Sequence, residues 1–150
     1  MKYILILLFS FIAVFTICSK SWAEEDFKGL KSIIEEANDT ATLVYAMQRC
    51  SALYISFYGL SMHRKDEVGD EVIKNFLNIS AKFFNFASTL IKANNIKLSK
   101  EEQDNIIIEI RDLYDEKWKS NYVKLGRNIG TMTMEDKEIC DSFLAAFNKE

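Results

Sequence analysis

Residues 66–95 read DEVGDEVIKNFLNISAKFFNFASTLIKANN, and the spacing of their apolar side chains decides the fold class. Val72, Phe76, Ile79, Phe83, Phe86 and Leu90 recur at alternating steps of four and three, which keeps them on one side of a helix with about 3.6 residues per turn. Ile73, Leu77, Phe84 and Ile91 form a second stripe beside the first, a face wide enough to touch two neighbouring helices. Asp66 lies near the start of this helix. Asn94-Asn95 reads as its stop, because asparagine tolerates the left-handed conformation found at helix ends.

Working outward toward the N-terminus, Asn38-Asp39-Thr40 offers capping oxygens for a helix from about Ala41 to Met62. Its apolar phase is Leu43, Met47, Cys50, Tyr54 and Phe57, so Cys50 points inward. A short segment, Phe27 to Ala37, precedes it. Toward the C-terminus, Ser99-Lys100-Glu101-Glu102 has the form of a capping box, in which Ser99 and Glu102 satisfy each other's backbone amides. The long helix that follows is predicted to turn Ile107, Ile110, Tyr114, Trp118, Tyr122 and Leu125 inward and to end at Gly126 or Gly130. Thr133, with Asp136 three positions on, is predicted to cap a last helix carrying Cys140, Phe143, Leu144 and Phe147.

Proline is absent from all 150 positions, where average usage would supply about seven. Helix interiors exclude proline, although a sequence rich in lysine, asparagine and isoleucine also fits AT-rich codons. No stretch alternates as a strand does. The predicted fold is all-α: a four-helix bundle of mainly up-down topology with a short extra N-terminal helix.

The chain opens with Met1-Lys2, continues through an apolar run from Tyr3 to Cys18, and turns small and polar at Ser19-Lys20-Ser21-Trp22-Ala23. That is the layout of a cleavable signal peptide over residues 1–23, with cleavage between Ala23 and Glu24. A retained anchor would prefer about 20 apolar residues, and the run falls short of that. Acylation of Cys18 would prefer a small residue before it, where Ile17 is bulky. The layout and the composition point to a bacterial protein of the periplasm or the exterior. The remaining residues, 24–150, are read as a single helical domain.

Removing Lys2 and Lys20 lowers the basic residues from 19 to 17 against 22 acidic ones, so the formal charge moves from −3 to −5. An acidic domain whose longest basic run is His63-Arg64-Lys65 is a poor match for a phosphate backbone, and nucleic acid is not an expected partner. Membrane contact is expected only through the signal peptide.

With Cys18 removed, Cys50 and Cys140 remain, both at inward helical positions and 90 residues apart. In an oxidising compartment they are expected to form a disulfide. The spacing is not that of a redox motif, which makes the bridge a staple.

The other candidates for chemistry have bland readings beside the sharp ones. His63, the lone histidine, falls where the first long helix ends, and a cation there suits the helix dipole. As a base or metal ligand it lacks a companion, and no cofactor or metal is expected. Glu109, Asp112, Asp115 and Glu116 are interleaved with Arg111, Lys117 and Lys119. They read as a solvated face laced by the i,i+4 pairs Arg111–Asp115 and Asp115–Lys119. Tyr114, Trp118 and Tyr122 form an aromatic row that is either core or a speculative contact for a ligand or partner. Ala52, Ser56 and Gly59 form a stripe of small residues that either admits the Phe27–Ala37 segment or floors a groove.

No phosphate loop, nucleophile elbow, zinc motif or catalytic triad is present, so an enzyme is not expected. The expected role is a non-enzymatic protein-binding module of the inhibitor, immunity, chaperone or envelope-accessory type, whose partner is another protein of the envelope or exterior. The alternative is a carrier of an apolar small molecule in the bundle interior, lined by residues such as Phe83, Phe86 and Tyr114.

Overall fold

Six helices occupy the described residues, 27–37 and 39–148, of the computed structural model, and no strand occurs among them. They are α1 (Leu30–Glu36), α2 (Thr40–Met62), α3 (Lys65–Val68), α4 (Asp70–Ala93), α5 (Lys100–Leu125) and α6 (Thr131–Phe147). The predicted signal segment 1–23, with Cys18, Ala23 and Glu24, lies outside the described residues.

Local chemistry sets the helix ends. The Asp39 carboxylate accepts the Thr42 amide at 2.7 Å and opens α2. Ser99 and Glu102 close the expected capping box on α5, with bonds of 3.2 and 2.7 Å. Replacing Ser99 with alanine removes one of these bonds and is expected to cost about 1 kcal/mol in urea unfolding; an unchanged midpoint would show that the cap is idle. Asn95 after α4 and Gly126 after α5 adopt the left-handed conformation that a helix stop requires, at φ 54° and 67°.

α2 is the hub, approached closely by α1, α4, α5 and α6. Every residue from Ala46 to Tyr54 is buried, including Gln48, Arg49 and Ser51. A helix surrounded in this way has no solvent face, so its inward residues do not reduce to one stripe. Met47, Cys50, Tyr54 and Phe57 are buried as expected, whereas Leu43, near the exposed start of the helix, faces outward.

The packing of α4 differs from its sequence pattern. The buried residues are Ile73, Ser80, Phe83, Ala87 and Ile91, while Val72 is exposed and Phe76, Ile79, Phe86 and Leu90 are half-buried. Ser80 meets α2 directly, its hydroxyl and that of Ser51 hydrogen-bonding at 2.9 Å. The phenylalanines flank that contact: Phe83 stacks on Tyr54, and Phe86 stacks on Phe147 at 3.6 Å between centroids.

On α5, Ile107, Ile110, Tyr114 and Trp118 are buried, but Tyr122 and Leu125 are 62% and 58% exposed. Residues four apart advance about 40° round a helix at each step, so a row that starts inward drifts off the contact line. Thr133 and Asp136 also depart from expectation. α6 opens at Gly130, and both side chains are fully buried instead of capping it.

The Sγ atoms of Cys50 and Cys140 lie 2.01 Å apart, at disulfide distance, and join the middles of α2 and α6.

Candidate functional site

The described residues hold two candidate sites, one buried and one open. The buried one begins with Arg49, the one charged residue of the 23-residue helix α2. Its guanidinium and the Asp136 carboxylate are both fully buried, with Nη2 donating to Oδ2 at 2.6 Å and Nε to the same oxygen at 3.1 Å. Nε also donates to the Tyr114 hydroxyl at 3.0 Å, and that hydroxyl donates to Asp136 Oδ2. The second carboxylate oxygen accepts the Leu30 amide at 2.6 Å.

The Phe27 ring covers Arg49, with the guanidinium carbon 4.1 Å from its centroid, and meets Tyr114 edge-on. One ion pair thus ties the segment before α1 to α2, α5 and α6. Burial works against the Arg49 charge, but Tyr114 and Asp136 outweigh it and hold the guanidinium pKa above its ordinary value. Burial pushes the Tyr114 phenol well up, so it stays a neutral donor. This cluster is closed from water and pairs its acid, cation and phenol through Arg49 Nε and Nη2, while Arg49 Nη1 is buried without a hydrogen-bond partner. It builds structure and offers a substrate no entry.

The open feature lies where α2 and α5 end together. A cleft of about 650 Å³ runs between them, walled by Ile55, Tyr58 and Leu60 on one side and Trp118, Tyr122 and Val123 on the other. Ser56 and Gly59 contribute to it, and a Cβ built on Gly59 would meet nothing within 4 Å. Of the two readings of the small-residue stripe, its Ser56–Gly59 end therefore floors a groove.

Trp118 is anchored at the cleft wall by its indole N–H, which donates to the Thr133 hydroxyl at 3.0 Å. Val123, 84% exposed, stands at the mouth. Arg111, Asp115, Lys119 and His63 supply the polar edge. Arg111 pairs with its neighbour Asp112 at 2.5 Å instead of with Asp115, placing Nε and Nη2 on one carboxylate oxygen.

The aromatic row therefore divides. Tyr114 belongs to the buried centre, Trp118 joins the two features, and Tyr122 faces the cleft. A second cleft, of about 340 Å³, lies on the other side of Leu60, between Phe57, Phe76, Ile129 and Met134. Phe83 and Phe86, named for a carrier interior, are engaged by other rings and line neither cleft.

Arg49 escaped the sequence reading and Asp136 entered it only as part of a helix cap, yet one signal was present. A lone charge in an otherwise uncharged helix marks a buried partner-seeking group, because a helix exposed on one side carries several charges. Among the described residues no three histidine, cysteine or carboxylate side chains converge to hold a metal ion, and no helix is long and apolar enough to cross a membrane. No protein-family model, curated protein or solved structure matches the chain.

Proposed function

We propose that this chain is an exported, non-enzymatic protein-binding module and that its binding face is the α2–α5 cleft. The observation that carries the reading is the open, apolar floor and walls of that cleft. Tyrosine and tryptophan, the residue types enriched where proteins bind one another, both line it. Tyr122, 62% exposed, supplies contact area at little cost in side-chain entropy, and the buried Trp118 makes a rigid wall beneath it.

Export, a periplasmic or extracellular address and the up-down order of the helices belong to the same proposal. A cysteine pair at disulfide distance and the absence of a membrane-spanning helix among the described residues are compatible with it.

A photo-crosslinking residue at Tyr122 tests the reading in the native envelope, with Ile108, exposed on α5 away from the cleft, as control. The expected result is a protein adduct at position 122, absent at 108 and lost when Gly59→Leu fills the floor. Gly59 lies inside α2 with open space at its Cβ, so replacing it favours the helix by up to about 1 kcal/mol and loss of the adduct is not a folding defect. No adduct at Tyr122, or the same adducts at Ile108, would overturn the proposal.

A further inference from the structure

The second cleft has a chemistry of its own. Phe57 and Phe76 form its floor, with ring centroids 5.7 Å apart, and Leu60, Val68, Ile129 and Met134 form its walls. Its charged lining residues are Arg64 and Lys137, both cations, brought together from the α2–α3 link and from α6. Each is held by a carboxylate that does not line the cleft. Arg64 donates through Nε and Nη2 to Glu67, and Lys137 donates through Nζ to Asp141. A guanidinium carries about five donor hydrogens and an ammonium about three, so both groups keep donors for an incoming anion.

The space is small for a partner helix and sits at the low end of small-molecule sites, which run from about 300 to 1,000 Å³. An apolar trough whose charged lining is two cations complements a hydrocarbon chain that ends in an anion. Met134, unbranched and partly exposed at the wall, can adjust to the chain. We propose that this cleft binds the free anion of a medium-length acyl chain, with the tail over Phe57 and Phe76 and the carboxylate held by Arg64 and Lys137. The inference stands apart from the protein-binding reading, since the two clefts share only Leu60.

Titration of the full protein with carbonyl-labelled decanoate, followed by NMR below the micelle limit, tests it. Decanol and decyltrimethylammonium serve as neutral and cationic chains of equal length. Decanoate is expected to bind saturably and about tenfold more tightly than decanol, as charge-assisted hydrogen bonds to a carboxylate require. Arg64→Gln with Lys137→Gln should erase that preference. Arg64 is 64% exposed and Lys137 36%, and each is paired with a carboxylate within four residues on its own stretch of chain, so the fold is retained. Met134→Trp should block the tail and weaken decanoate further. Equal affinity for decanol, an unchanged double variant, an unchanged Met134→Trp, or binding to phosphatidylglycerol vesicles without saturable decanoate binding would each overturn the proposal.

Discussion

Replacing Arg49 with methionine is expected to lower the stability of the folded protein by about 3–5 kcal/mol, the cost of leaving a buried carboxylate without its cation. Asp136 is fully buried, and after the change it would keep only the Leu30 amide and the Tyr114 hydroxyl as donors. Asp136→Leu is expected to cost a similar amount by stranding the guanidinium. The two losses should not add. In Arg49→Met/Asp136→Leu no charge remains in the core, and the residual penalty is that of the unpaired Leu30 amide and Tyr114 hydroxyl, about 1–3 kcal/mol for each such group. Urea unfolding of the four proteins closes the double-mutant cycle. Either single variant within about 1 kcal/mol of the parent would show that the pair is not the buried lock described here.

Hydrogen exchange reports the same lesion locally. The Leu30 amide is held by Asp136, and Phe27 is held on Arg49. Loss of either charge should release the segment before α1 first, with the Leu30 amide exchanging faster while the amides of α2 stay protected. Equal acceleration in both places would mean that the pair supports the whole core and not that strap.

What the sequence disclosed and what it withheld follow from the range of the interactions. The Ser99–Glu102 capping box, the Asp39 cap and the left-handed Asn95 are contacts within four residues, and each was legible in the letters alone. Of the three cysteines, Cys50 and Cys140 were legible as a pair because both fall at inward helical positions, whereas Cys18 lies in the apolar run read as a signal peptide. The rotation of α4 was not, because periodicity weights the large phenylalanines, whereas α4 also buries the small Ser80 and Ala87, with Ser80 bonded to Ser51 of α2. Nor was the role of Asp136. Three residues after Thr133 it satisfies the local pattern of a cap, and only the long-range arrival of Arg49 and Leu30 gives it another partner. The cleft was half-visible: Ser56 and Gly59 announced a place where backbone could be approached, but the sequence could not say whether the chain itself fills it.

Removing the Cys50–Cys140 bridge is expected to cost about 4–5 kcal/mol, since a cross-link spanning 90 residues restricts the unfolded chain far more than a short loop would. That is a large share of a domain stability of about 5–15 kcal/mol. Paired replacement by alanine suits the test, because both cysteines are fully buried and a serine hydroxyl there would need a partner. Reduction of the parent protein should give the same loss, and agreement between the two separates the cross-link from the packing of the sulfurs. The bridge also lies beside the ion pair: Cys50 follows Arg49 on α2, and Cys140 sits one turn beyond Asp136 on α6. Both restraints therefore act on the same crossing, and α6 has few other close approaches to α2. With the bridge gone, the amides of α6 should exchange by local opening while those of α2, wrapped by α4 and α5, exchange only on global unfolding. Adding Asp136→Asn to the reduced protein should then deepen the opening of α6 without a matching change in α2. A loss under about 1 kcal/mol, or α6 amides as protected as those of α2, would place the hold on α6 elsewhere.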